Sequence, residues 1–402
     1  MPERVVITGL GPVSSIGVGA DAFLNGLRGG RLGTSPIASF DASGFPHRMG
    51  GEVHNFRPED ILSRLSSSEW GRTSLFAAAA ARLAVQDAGL TDEELGAVRT
   101  GSCIGTTSGE GKVAELLAEH WVADGIDTEV ADLSTQLPAH RLAIAVNREL
   151  GVSGEAVTVT TACSASNYAI GLAYDLVASG QLDIALAGGA DSVARWAHAG
   201  FFRLGALAET VCRPFSSDRG GILCAEGGAA VVLETLTSAR ARGAHIYCEV
   251  LGYGVNCDAN HMVSPDASSI AECIRQAHEQ AGVKPGDVDY VCAHGTGTPT
   301  NDAVESAALR MVFGDSVPPT SSIKSMLGHA MGAASGFGAI ASALAIRFGF
   351  IPPTINFSEP DPGIDFVDCV PNEAREIPVN VVQNNGFAFG GNNAIVVLGA
   401  MS

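Results

Sequence analysis

The sequence is poor in positive charge. It carries 24 Lys and Arg against 43 Asp and Glu, a net charge of −19 over 402 residues. A surface that acidic repels phosphate backbones and offers lipid headgroups no cationic face, which argues against nucleic-acid and membrane partners. Charged residues of both signs make up only 17% and hydrophobic residues 46%. That balance belongs to a globular chain with a large core, not a disordered one. None of the nine cysteines forms a CxxC pair, and their number is odd. Zinc, redox-motif and disulfide-framework readings therefore find no support. No metal is expected, and a reducing cytoplasm fits best. No signal-peptide pattern precedes the first apolar run, since MPERVVITGLG leads straight into a strand pattern. Gly9-Leu10-Gly11 follows that strand without completing GxGxxG, which leaves a dinucleotide site unsupported. The uncharged stretch from Ala330 to Ile346 is rich in Ala, Gly and Ser and ends at Arg347. It reads as a close-packed interior helix rather than a membrane span.

What is present is an alternation of short β-rich runs with helical stretches. Strands are expected at Val5–Thr8, Ala156–Thr160, Ile184–Ala187, Ala229–Leu233, Ile246–Leu251, Val288–Cys292 and Ala394–Leu398. Helices are expected at Leu75–Ala88, Lys112–Ala123, Ala165–Ser179, Ser269–Ala281, Asp302–Phe313 and Ala330–Phe348. The pattern predicts an α/β fold. It also suggests two related halves, each with a strand, a turn of small residues and a helix beginning at a reactive residue. Val157–Thr161 leads to Cys163 in the first half, and Val288–Cys292 leads to His294 in the second. The join falls near Leu236–Gly243. Residues 1–240 form a half with the nucleophile, and residues 241–402 a half with the histidines.

Cys163 stands between a strand and a helix, in Thr160-Thr161-Ala162-Cys163-Ser164-Ala165-Ser166. The unpaired N–H groups and dipole of a helix start favour thiolate over thiol, which marks Cys163 as a nucleophile. The other eight cysteines read as packing residues. His294 precedes Gly295-Thr296-Gly297-Thr298, whose glycines allow close approach and whose hydroxyls suit a polar ligand. His329 sits at the start of the uncharged helix, where a helix N-terminus favours a neutral ring donating from Nε2. Lys324 lies alone in an apolar neighbourhood, as a candidate functional charge. No local signature of a cysteine protease accompanies Cys163.

These motifs in this order resemble the β-ketoacyl-[acyl-carrier-protein] synthases of the elongating type, nearly end to end. The matching segments run from Arg4–Gly11 through Thr161-Ala162-Cys163, Arg213-Pro214-Phe215, Glu226-Gly227, His294–Thr298 and Lys324–His329 to Gly386–Asn393. The resemblance implies a thiolase fold, two pseudo-repeated halves in a layered α-β-α-β-α architecture. It implies an acyltransferase that loads an acyl group on Cys163 and condenses it with malonyl-carrier after decarboxylation. His294 and His329 would promote that decarboxylation, Lys324 would orient the network, and the N–H groups of Cys163 and Phe389 would form an oxyanion hole. Thr296 and Thr298 would hold the pantetheine arm, and Phe387 and Phe389 would gate the second step. Ser108 and Leu133 would shape the acyl pocket, Leu133 reaching across a dimer. No cofactor is implied beyond the phosphopantetheine of the acyl carrier protein. The implied partners are that carrier and a second subunit, in a homodimer or a heterodimer with a chain-length-factor-like chain.

Three departures from the housekeeping members stand out. Gly338 occupies the place of a glutamate nine residues after the second histidine, which puts the ionic partner of Lys324 in question. Leu65-Ser66-Ser67-Ser68-Glu69 replaces a basic carrier-docking stretch and shifts docking to residues such as Arg64, Arg72 or Arg203, or to a partner subunit. Ser108 and Glu110, in the segment after the third strand, make this part of the acyl pocket more polar, or the tunnel more open. Together they point to a specialised pathway, such as type II polyketide or polyene assembly. Housekeeping fatty-acid elongation, a non-condensing acyltransferase or decarboxylase, and a subunit active only with its partner are the alternatives. Thiolase chemistry would need a second cysteine near the C-terminal glycine loop, and Asn384–Asn393 has none.

Overall fold

A computed structural model describes residues 3–125, 128–364 and 366–401. Ten strands carry the architecture. The first five are β1 Val5–Ser14, β2 Thr100–Gly105, β3 Ala156–Val159, β4 Ile184–Asp191 and β5 Gly227–Thr235. The second five are β6 Cys248–Cys257, β7 Tyr290–Cys292, β8 Thr320–Ser321, β9 Val381–Phe387 and β10 Asn392–Gly399. The principal helices are α1 Arg72–Asp87, α2 Arg141–Leu150, α3 Ala165–Ala178, α4 Ala267–Ala281, α5 Pro299–Phe313 and α6 Ala334–Phe348.

The order of the first five strands across the sheet is β3-β2-β4-β5-β1, and that of the second five is β8-β7-β9-β10-β6. In each set the first three strands run parallel and the last two pair antiparallel. The helices fall in the same intervals, so the two sets repeat one β-α-β-α-β-α-β-β unit. They meet where Val5–Ile7 of β1 pairs with Cys248–Val250 of β6.

Alternating side chains build the layers. On β5, Val231 and Leu233 face the central core, while Ala230 and Val232 face the outer core under α1 and α2. On β10, Val396 and Leu398 face the central core, while Ile395 and Val397 face α4 and α5. The helices α3 and α6 pack in the central core between the two five-strand sets, which completes the α-β-α-β-α stack. Gly9 and Gly11 on β1 let α1 approach closely, since a Cβ at either would overlap the Ala84 or Ala80 carbonyl.

Three expectations change. First, the repeat is registered differently. The strand before His294, β7, corresponds to β2, and the strand before Cys163, β3, corresponds to β8. The counterpart of the Cys163 turn is therefore the turn at Met331. Second, the expected helix from Ala330 to Phe348 is broken. Met331 adopts a left-handed φ of 49°, Met331–Ala333 forms a 3₁₀ turn, and α6 starts at Ala334. Among the described residues the segment Met331–Phe348 alone is long and apolar enough to span a membrane, and 83% of it is buried in the protein interior. Third, β2 and β9 are strands that the sequence pattern does not announce. Thr100–Gly105 is rich in small residues, and Val381–Phe387 carries Gln383, Asn384 and Asn385 at its centre. Neither composition favours a strand until its polar groups find buried partners.

Candidate active site

Cys163 lies in a 3₁₀ turn, Ala162–Ser164, that feeds directly into α3. Ala162 holds a left-handed φ of 50°, unusual for a residue with a Cβ. That turn leaves Cys163 only 6% exposed. The backbone N–H groups of Cys163 and Phe389 lie near its sulfur and favour its thiolate form. The expectation of a thiol lowered by the helix start is corrected. Burial pushes it up to about 12, and Lys324 only partly opposes this.

His294 follows β7, and its backbone N–H and that of Gly295 donate to the Glu305 carboxylate at 2.8 and 2.7 Å. Lys324 Nζ donates to the His294 carbonyl oxygen at 2.5 Å. Lys324 thus grips the main chain of the histidine loop, and burial draws its own pKa down. His329 is held by backbone bonds to Leu223 and Ala225. Its Nδ1 accepts from the Met331 N–H at 3.1 Å, which leaves the proton of the neutral ring on Nε2. The two rings lie 5.5 Å apart, nearly perpendicular. Both are held far below the usual histidine range, first by burial and then by Lys324. The neutral state expected for His329 is present, with burial rather than the helix dipole as its cause.

A cavity of about 350 Å³ is lined by Cys163, His294, His329, Thr296, Thr298, Phe387 and Phe389. Thr296 and Thr298 share a hydrogen bond at 2.9 Å between their hydroxyls, and Thr298 caps α5 through the Asn301 N–H. Phe387 packs its ring 5.6 Å from His294, and Phe389 packs 5.9 Å from Phe201. Lys324 stands behind the cavity wall.

Ser108 and Leu133 do not line this cavity. The Ser108 N–H donates to Asp191, and Leu133 is half-buried on the helix Thr128–Ser134. Glu110 does not make the pocket polar. It is buried, and its carboxylate accepts from the N–H groups of Thr73 and Ser74 at the start of α1. Two of the three candidate docking arginines are tied into the fold. Arg64 pairs with Asp92 at 2.9 Å and Arg72 with the buried Glu226 at 2.6 Å. Arg203 is exposed, next to Leu204 at the cavity wall. Gly338 leaves no room for a larger residue, since a Cβ there would overlap Asn384 Oδ1.

Sequence reasoning missed Glu305 and Asp191. Both are fully buried carboxylates that accept several backbone N–H groups. Asp191 gathers Thr107, Ser108 and Gly332, and burial raises its pKa to about 6. The signal was there for Asp191, a lone carboxylate closing the apolar run Ile184–Ala190. Glu305 had none beyond its place on a helix.

Two family models match the chain, the N-terminal domain of β-ketoacyl synthases over residues 2–239 and the C-terminal domain over 247–358. Nodulation protein E of Rhizobium sp. strain N33 is 38% identical, over 98% of this chain and 99% of that protein. The 3-oxoacyl-[acyl-carrier-protein] synthase 2 of Coxiella burnetii is 37% identical, over 98% of both chains. Among solved structures, the ishigamide ketosynthase/chain length factor superposes with a TM-score of 0.97 at 49% identity, over all of both chains. A type II polyketide ketosynthase solved with its acyl-carrier protein superposes at 0.90 with 31% identity, again over all of both chains. With a cysteine and two histidines around one cavity in a doubled β-α unit, the chain belongs to the β-ketoacyl synthase family, the condensing acyltransferases of the thiolase fold.

Proposed function

We propose that Cys163 accepts an acyl group from a carrier thioester and that His294 and His329 then drive a decarboxylative condensation with malonyl-carrier. One observation carries this reading. Cys163, two neutral imidazoles and two N–H groups aimed at the sulfur share a single cavity. In the first step the sulfur attacks the thioester carbonyl, the oxyanion is held by the Cys163 and Phe389 N–H groups, and the carrier thiol leaves with the cysteine proton. In the second, the bond between the malonyl carbon and its carboxylate breaks and carbon dioxide departs. The electron pair stays on a thioester enolate that the two imidazoles stabilise. The carbanion attacks the acyl carbonyl, and the Cys163 sulfur leaves as the β-ketoacyl-carrier forms. Neutral rings suit this, because they donate to the enolate oxygen without readily protonating its carbon. Lys324 and Glu305 position the His294 loop. Thr296 and Thr298 flank the phosphopantetheine arm, Phe387 and Phe389 gate the second substrate, and Ser108 and Leu133 border the acyl chain on the far side of Cys163. The halves 1–240 and 241–402 supply the nucleophile and the histidines.

The partners are an acyl carrier protein, met in part by Arg203, and a second subunit resembling a chain length factor. The 49% identity to the ishigamide ketosynthase/chain length factor, against 37% to the Coxiella synthase, favours a specialised type II polyketide or polyene pathway. Nine free cysteines suit a reducing cytoplasm. Intact-mass analysis of the protein and of Cys163→Ala after exposure to acyl-carriers of several lengths tests the reading. An adduct of acyl mass on the parent alone is expected. Equal labelling of both proteins refutes it. Loading without β-keto product would make it an acyltransferase only.

A further inference from the structure

The strand β9 has polar side chains on both faces. Gln383 and Asn385 point one way, where Asn385 Nδ2 donates to Glu305 at 2.9 Å. Asn384 points the other way, toward α3 and α6. Its Nδ2 donates to Asn167 Oδ1 at 2.8 Å and to the Ser335 carbonyl at 2.9 Å. Asn167 Nδ2 in turn donates to the carbonyls of Asn384 and Ala394 at 3.1 and 3.0 Å. The Asn167 N–H donates to Ser335 Oγ at 3.2 Å. All three side chains are buried. Neither amide can turn over, because each NH₂ faces carbonyl oxygens that only accept. The arrangement is locked.

Its position matters. Asn167 is one helical turn beyond Cys163. Ser335 lies in the first turn of α6, six residues past His329. Asn384 leads along β9 to Phe387 and Phe389. The strand also passes hard against the nucleophile turn, where a Cβ on Gly386 would lie 3.2 Å from Ser164 Cα. The elements carrying the sulfur, one imidazole and one oxyanion donor thus meet at one cluster of amides. Gly338 admits it, since any larger residue there would overlap Asn384 Oδ1.

We propose that Asn167 and Asn384 form a positioning clamp that sets the Cys163 turn against the Phe389 loop, so that both N–H groups converge on the sulfur. The clamp fills the space that Gly338 leaves open, and Glu305 rather than a residue at 338 secures the Lys324–His294 side. This rests on the condensing reading above. It separates acyl transfer, which needs the two N–H groups, from malonyl decarboxylation, which needs the imidazoles.

The test uses Asn384→Ser and, as a second break from the helix side, Asn167→Ser, each confirmed as folded by its thermal transition. Octanoyl-carrier reports transfer by mass of the Cys163 adduct. Malonyl-carrier reports decarboxylation by acetyl-carrier formed. Transfer is expected to fall by roughly ten- to a hundredfold while decarboxylation changes less than about threefold. Gly338→Ala should reproduce the transfer defect, and adding it to Asn384→Ser should make nothing worse. Unaltered transfer in a folded variant, or a parallel fall of both reactions, overturns the clamp. Absence of both reactions from the parent protein overturns the condensing reading itself.

Discussion

The turns at Ala162-Cys163-Ser164 and Met331-Gly332-Ala333 occupy the same place in the two repeats. Each is a 3₁₀ turn entering a helix, and each opens on a non-glycine residue with φ near 50°. They pack against one another, and Ser166 Oγ reaches across to the Gly332 carbonyl at 2.5 Å. Yet they do different work. The first presents a sulfur to the cavity. The second gives its Gly332 N–H to Asp191 at 2.7 Å and its Met331 N–H to His329. The backbone device is shared, and the residue at its centre assigns one copy to reactivity and the other to bracing.

Placing alanine at the two equivalent positions breaks this comparison most sharply. Cys163→Ala should leave the fold intact and lower condensation by at least about three orders of magnitude, measured as β-ketoacyl-carrier formed. His329→Ala, beside the second turn, should cost about two to three orders of magnitude in malonyl decarboxylation while Cys163 still loads. Glu305→Gln, which weakens the seat of His294, should lower decarboxylation by about ten- to a hundredfold, with a larger effect on kcat than on KM. The buried thiol gives a pH signature. Because burial raises its pKa to about 12, thiolate is the minor form throughout neutral pH and grows with pH. Iodoacetamide labelling of the Cys163 peptide should rise about tenfold per pH unit from 6.5 to 9.5 without a plateau. A plateau near 8.5 would mean an ordinary exposed thiol. Gly332→Ala should act on stability instead. A Cβ there lies 2.5 Å from Thr106 Cα and 2.7 Å from Asp191 Oδ2, so unfolding free energy should drop by about 1–3 kcal/mol in a denaturant titration.

Much of the site is legible in the sequence because its residues sit in local signals. Cys163 ends a strand and begins a helix, His294 precedes a Gly-Thr-Gly-Thr loop, and Lys324 and His329 share one short segment. The cavity gathers the cysteine, both histidines, both threonines and both phenylalanines. What failed to read from sequence depended on distant partners. Lys324 finds its acceptor on the main chain of His294, thirty positions away. Glu110 looks like pocket polarity in sequence and turns out to cap α1. Arg64 and Arg72 look free and are held by Asp92 and Glu226.

The sequence by itself determined the α/β alternation, the doubled organisation and the reactive residues, because periodicity and turn chemistry are short-range properties. Only the tertiary structure decided how the repeats align, that burial raises the Cys163 thiol, that Asn167 and Asn384 bond to one another, and that Glu305 accepts from the His294 loop. Burial and hydrogen bonding between residues far apart in the chain fix those features, and no local window contains them.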